Sequence, residues 1–138
     1  MSAPEHAAIV GQSIVIERAF EQRDLDEFGR ISCDDHPIHV DPGYAQAHRL
    51  AGTIVQGSLI LGLMAGASTA LFQRIGRPAL SYGYDRLRFT KPVSPGDLLK
   101  VNYTVVEHEE AAGKVFATVE VTVSGQLVAV ATHIAKLL

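Results

Sequence analysis

The sequence predicts an α+β fold in which an antiparallel sheet wraps around one long apolar helix. Two observations carry that prediction. Leu50 to Gln73 contains no charged residue, and Lys114–Val123 and Leu127–Lys136 each alternate apolar with polar residues, as half-buried strands do. Only "SGQ" (Ser124 to Gln126) separates those two runs. A connection that short joins strands as an antiparallel hairpin, and the apolar face of the resulting sheet needs an apolar element to cover it. The chain has 138 residues, a size suited to one packed core, so one domain over residues 1–138 is expected. Its hydrophobic content of 47% and net charge of −3 describe a folded chain and not a disordered one. There is no run of Lys or Arg that would track a phosphate backbone, which argues against nucleic acid as a partner.

Taken in order, Met1–Gln12 carries Glu5 and His6 and has no continuous apolar run, so it does not read as a leader peptide, and His6 is expected in a mobile terminus. Ser13–Phe20 reads as a strand. Asp24, with Glu27 three residues on, has the pattern of a capping box for a short helix. Asp41-Pro42 reads as the cap of a second short helix running to about Ala47. In the uncharged run, Gly57 is the expected helix start, and Arg74 and Gly76 supply a cation and a stop at its end. The run is long enough to cross a bilayer. Its glycines, its Gln56 and its Ser and Thr residues dilute it, however, and no aromatic or basic belt brackets it, so a buried central helix and no membrane is the reading. Ser81–Phe89 is a further strand, broken by "KPVSPGD", and Leu98–His108 is another, closed by "EEAAG" ending at Gly113. These four final strands are expected to follow one another as a meander. The single Cys33 excludes an intramolecular disulfide, fits a reducing cytoplasmic setting, and reads as a small packed residue.

The chemistry concentrates in "DDHPIHVDP" (Asp34 to Pro42), with three aspartates and two histidines. A solvated helix-capping loop explains the aspartates. A metal site made from Asp34, His36 and His39 has ligands of suitable type. A pair of proton-transfer groups, Asp34 and His39, is the third reading, with Pro37 stiffening the segment between them. His48, His108 and His133 read as surface or sheet histidines. Arg86, Arg88 and Lys91 stand on or just after one strand, either solvated or in reach of phosphates.

Three stretches in order resemble the MaoC-like hot-dog domain family of (R)-specific enoyl-CoA hydratases and dehydratases: "SCDDHPIHVDP" (Ser32 to Pro42), "VQGSLILG" (Val55 to Gly62) and "FTKPVSPGD" (Phe89 to Asp97). The family's first motif is approximately S-x-D-x-N-P-x-H-x-D-P, and its second opens the long helix with His-Gly. Here His36 stands for the usual Asn and Gln56 for the usual His, while Asp34, His39 and Gly57 are intact. The resemblance implies a hot-dog fold, a catalytic pair Asp34 and His39, an oxyanion donor at Gly57, and substrate contacts from Gln56, Ser58 and His36. It implies a homodimer and an acyl-CoA or acyl-carrier-protein thioester as substrate. The reaction implied is hydration of a trans-2-enoyl thioester to an (R)-3-hydroxyacyl thioester, or the reverse, with no metal or organic cofactor. A hot-dog acyl-CoA thioesterase or a non-catalytic acyl-thioester-binding subunit are the alternatives.

The residues suit that chemistry. Adding water across a conjugated C=C needs a base for the water proton, an acid for the α-carbon and a donor for the enolate oxygen. A carboxylate and an imidazole can share the first two tasks. Amides at a helix start lack intrahelical partners and can serve the third, most closely where no side chain intervenes.

Overall fold

The computed structural model describes residues 8–138; His6 and most of the segment Met1–Gln12 lie outside the described residues. The elements run β1 (Ser13–Ala19), α1 (Gln22–Ser32), α2 (Pro37–Val40), α3 (Pro42–Ala47), α4 (Gly57–Ile75), β2 (Ala79–Phe89), β3 (Leu98–Glu109), β4 (Lys114–Val123) and β5 (Gln126–Leu137). All five strands form one antiparallel sheet in the order β1-β3-β4-β5-β2.

That order corrects the expected four-strand meander. Only β3, β4 and β5 follow one another, while β2 pairs with β5 and forms the edge opposite β1. The prolines of "KPVSPGD" account for the difference, because the segment after β2 leaves the ladder and is stitched elsewhere. Val93 accepts a bond from the Val55 N–H (2.7 Å), and the Gly96 N–H donates to Phe20 at 2.7 Å. The chain thus crosses from one side of the sheet to the other before β3 begins.

The alternating pattern sets which strand face is buried. Leu99, Val101, Tyr103 and Val105 of β3, Val115, Ala117, Val119 and Val121 of β4, and Ala129, Ala131, His133 and Ala135 of β5 all point inward. The β4–β5 turn places Ser124 and Gly125 at φ 49° and 78°. Two successive positive φ values are what a tight two-residue hairpin of the observed twist requires.

Helix α4 packs its Ile60, Met64, Ala67, Ser68, Leu71 and Phe72 face into the sheet. It ends at Gly76 in the left-handed conformation, whose N–H returns to Phe72 at 3.0 Å. Arg74 reaches the Ser13 carbonyl at 2.8 Å instead of the end of its own helix, tying α4 to β1. The sequence predicts a helix buried on all sides; in the structure Gly62, Gly66 and Thr69 are exposed and Leu59, Leu61 and Leu63 are half-buried. Membrane-like length and hydropathy (mean 1.3) therefore belong to a helix with one face in the core and one face open within the single chain.

Helix α1 starts one turn before its expected cap. Asp24 is the third helical residue, accepting from the Glu21 N–H at 2.8 Å, and Glu27 pairs with Arg30. The Glu21/Asp24 pair performs the reciprocal capping that sequence spacing assigns to Asp24 and Glu27. Asp41 caps α3 as expected, its Oδ1 accepting from Gly43 (3.0 Å) and Tyr44 (3.2 Å).

A further expectation is corrected. Cys33 is exposed at φ 67°, ending α1 in the left-handed conformation, and is not a packed residue. His133 is fully buried. Its Nδ1 meets the Tyr103 hydroxyl at 2.7 Å and its Nε2 the Ser81 hydroxyl at 2.9 Å, while its ring stacks on Tyr84 at 4.5 Å. Burial without a charged partner holds its pKa down at about 4 and pushes Tyr103 up to about 12.

Candidate active site

The loop that carries Asp34 and His39 is fixed by its local sequence. Ser32, in the last turn of α1, accepts the Asp34 N–H on its hydroxyl at 3.1 Å. Gly29 lies under the loop; a Cβ there would stand 3.3 Å from the Asp34 carbonyl oxygen and 3.2 Å from the Asp35 Cβ. This glycine has no signature of its own in the sequence, and it lets α1 touch the loop. Pro37 then opens the single turn α2, capped by His36, whose Nδ1 accepts from the Ile38 N–H at 3.1 Å. That turn carries His39 back toward Asp34.

His39 is buried. Its Nδ1 lies 2.7 Å from the Ile54 carbonyl oxygen. A carbonyl only accepts, so Nδ1 carries the hydrogen, and in the neutral tautomer that this bond selects the lone pair is at Nε2. Nε2 stands 3.7 Å from Asp34 Oδ1, too far for a direct hydrogen bond. Two acceptors thus stand side by side, one sheltered and one partly open to solvent.

His39 also lines a cleft of about 260 Å³ with Ile54, Val55, Gly57, Ile60, Phe89 and the strand-exit residues Lys91, Pro92 and Val93. All three sequence motifs meet there. At its helix end the first two amides of α4, Gly57 and Ser58, have no acceptor among the described residues, whereas Leu59 and Ile60 donate to Gln56. Gly57 also has a steric role: a Cβ at this position would lie 2.8 Å from Phe89 Cε2. The Phe89 ring rests over the bare α-carbon at the helix start and would have to shift to admit a side chain there.

The remaining candidates are dispersed. Gln56 is fully buried and lies outside the cleft lining, its amide donating to the Leu25 carbonyl at 2.8 Å. Ser58 is exposed and lies outside the cleft lining. His36 is exposed, with its ring edge-on to Tyr44 at 5.6 Å and to His39 at 6.4 Å. Among the described residues no three His, Cys, Asp or Glu side chains gather as a metal-binding group. Arg86 and Arg88 line a separate groove with Thr118, Glu120 and Thr132, while Lys91 stands at the cleft and bonds Gln126 at 2.9 Å.

A five-stranded antiparallel sheet curled around one long helix is the architecture of a hot-dog domain. The chain belongs to the MaoC-like domain family, whose model matches residues 6–127. It is 32% identical over 116 residues to 3-hydroxyacyl-thioester dehydratase Z of Mycobacterium tuberculosis, covering 83% of this chain and 76% of that protein. It is 36% identical over 93 residues to the peroxisomal hydratase-dehydrogenase-epimerase of Saccharomyces cerevisiae, covering 67% of this chain but only 9% of the yeast protein. The solved (R)-hydratase from A. caviae involved in PHA biosynthesis superposes with a TM-score of 0.86 at 25% identity, over 96% of this chain and 99% of that one.

Proposed function

We propose that the chain is a hydro-lyase that interconverts trans-2-enoyl and (R)-3-hydroxyacyl thioesters, carried by CoA or an acyl carrier protein, in one domain over residues 1–138 and in the cytoplasm. The observation that carries the reading is the pair of acceptors, His39 Nε2 and Asp34 Oδ1, 3.7 Å apart. A water molecule has two hydrogens to give, and here two lone-pair sites stand ready to take them. Polarised by both, its oxygen attacks C3, and the group that takes the proton returns one to C2. The thioester oxygen gains charge as C3 is attacked, and the free Gly57 N–H supplies the hydrogen bond that stabilises it. The cleft's buried Ile60, Val55 and Val93 suit an apolar acyl arm, and its exposed Lys91 and Pro92 mark the side on which the carrier arm leaves.

A homodimer belongs to the same proposal. The open face of α4 is lined by small and polar residues, Ser58, Gly62, Gly66 and Thr69, and the outer edge of β2 is unpaired among the described residues, with Leu80 and Tyr82 56% and 63% exposed beside it. A second copy would cover such surfaces.

Mixing with crotonyl-CoA tests the reaction. Loss of the ultraviolet enoyl-thioester band without thiol release supports hydration. Thiol release would make the protein a thioesterase, and binding with neither change would make it a carrier subunit.

A further inference from the structure

We infer that Gln22 and Gln56 are positioning residues, each holding the backbone carbonyl of one member of the catalytic pair. The inference rests on the hydro-lyase reading and adds two residues to it. Gln22, in the first turn of α1, donates from Nε2 to the His39 carbonyl at 2.8 Å and to Asp26 Oδ1 at 2.9 Å. Its Oε1 accepts the hydroxyl of buried Thr53 at 2.6 Å; the orientation is fixed because the other two partners, a carbonyl and a carboxylate, only accept and must face the nitrogen. Gln56, the residue before α4, donates from Nε2 to the Leu25 carbonyl at 2.8 Å and to the Asp34 carbonyl at 3.3 Å. Both partners are carbonyls, so this amide cannot be reversed either.

The arrangement has a cost that a packing role does not explain. Gln56 is fully buried and its Oε1 has no hydrogen-bond partner among the described residues. A methionine of similar length would fill the space without burying an unpaired oxygen, so packing alone favours the apolar residue. What an amide supplies, alone among uncharged side chains, is two N–H groups diverging from one nitrogen, one for α1 and one for the catalytic loop. A neutral imidazole, the family's usual group at this position, has a single N–H. Gln56 also precedes Gly57 directly, so the side chain that anchors Asp34 and the amide that faces the cleft belong to adjacent residues. Between them, the two glutamines connect α1, the catalytic loop and the start of α4.

The separation of Asp34 Oδ1 from His39 Nε2 is therefore set from behind, by groups that never meet substrate. The test is Gln56→Met, with Gln56→His returning one N–H and Gln22→Met probing the other carbonyl should the first variant fold poorly. Steady-state hydration of crotonyl-CoA is measured across pH, alongside thermal unfolding. If the inference holds, each Met variant loses about tenfold or more in kcat with KM within about twofold, since misplacement of reacting groups by a fraction of an ångström slows chemistry more than binding. The pH profile of kcat shifts with the altered pair, and Gln56→His recovers part of the loss. Wild-type kcat and an unchanged pH profile in folded Gln56→Met or Gln22→Met would overturn the inference while leaving the hydro-lyase reading intact. Failure of the wild-type protein itself to hydrate the substrate would instead remove the reading on which it rests.

Discussion

Acidification should destabilise this protein through His133. Its ring is enclosed by Tyr103, Ser81 and Tyr84, none of them charged at neutral pH, and burial lowers its pKa from 6.5 to about 4. In the unfolded chain the same imidazole takes up a proton as pH drops through its ordinary value, while the folded chain refuses it. The unfolded state therefore binds more protons between the two values, and stability falls as pH falls. The contribution is fully present above pH 6.5 and lost as pH approaches 4. At about 1.4 kcal/mol per unit, the shift corresponds to roughly 3 kcal/mol, a large share of the ~5–15 kcal/mol that holds a domain together. Urea unfolding at a series of pH values from about 7.5 to 4 gives the free energy directly. His133→Gln removes the titrating group; it should be less stable than wild type at neutral pH yet show a flatter decline toward acid. An equally steep decline in His133→Gln would refute the reasoning.

The other predictions concern the site, assembly and alkaline limit. Asp34→Asn and His39→Ala should each cut kcat by about 10²-fold or more with little change in KM, and the double mutant should be far from additive, whereas Asp35→Asn should cost less than about tenfold. Gly57→Ala forces its new methyl against Phe89, whose ring must move across the cleft; hydration should fall at least about tenfold, with partial recovery in Gly57→Ala/Phe89→Ala. Light scattering should give twice the chain mass at micromolar concentrations, and a fully active monomer would contradict the assembly. Because burial raises Tyr103 from 10.0 to about 12, the folded state keeps a proton that the unfolded state gives up. Stability should thus decline as pH rises through that interval, with phenolate absorption appearing together with unfolding.

The sequence made the sheet's inner face legible because every second residue of β4 and β5 is apolar, and the helix legible because it lacks charge. Pairing order was not legible. Nothing local in Ser81–Phe89 says that its partner is β5 and not β3, since that depends on where an eight-residue, proline-containing segment (90–97) finds its hydrogen bonds. The cap of α1 slipped by one turn because Glu21/Asp24 and Asp24/Glu27 share the same spacing, and only the backbone decides which is used. Within the site, Asp34, His39 and Gly57 stood out by motif. Gln22, Gly29 and Thr53 did not, because each acts on backbone atoms brought near by the fold, and such contacts leave no spacing in the sequence. His133 looked like one polar member of an alternating strand; its burial follows from Tyr103 and Ser81 arriving from β3 and β2 to meet its two nitrogens.

The bond from His39 Nδ1 to the Ile54 carbonyl has a stereochemical consequence. By fixing the imidazole's hydrogen on the side away from Asp34, it leaves a single lone pair beside a single carboxylate, so in the proposed reaction water would be held and the proton returned from one side. Oxygen at C3 and hydrogen at C2 must then enter the same face of the double bond. Hydration run in D2O would leave deuterium and hydroxyl syn, and the elimination run backward would remove that same deuterium and spare its geminal hydrogen.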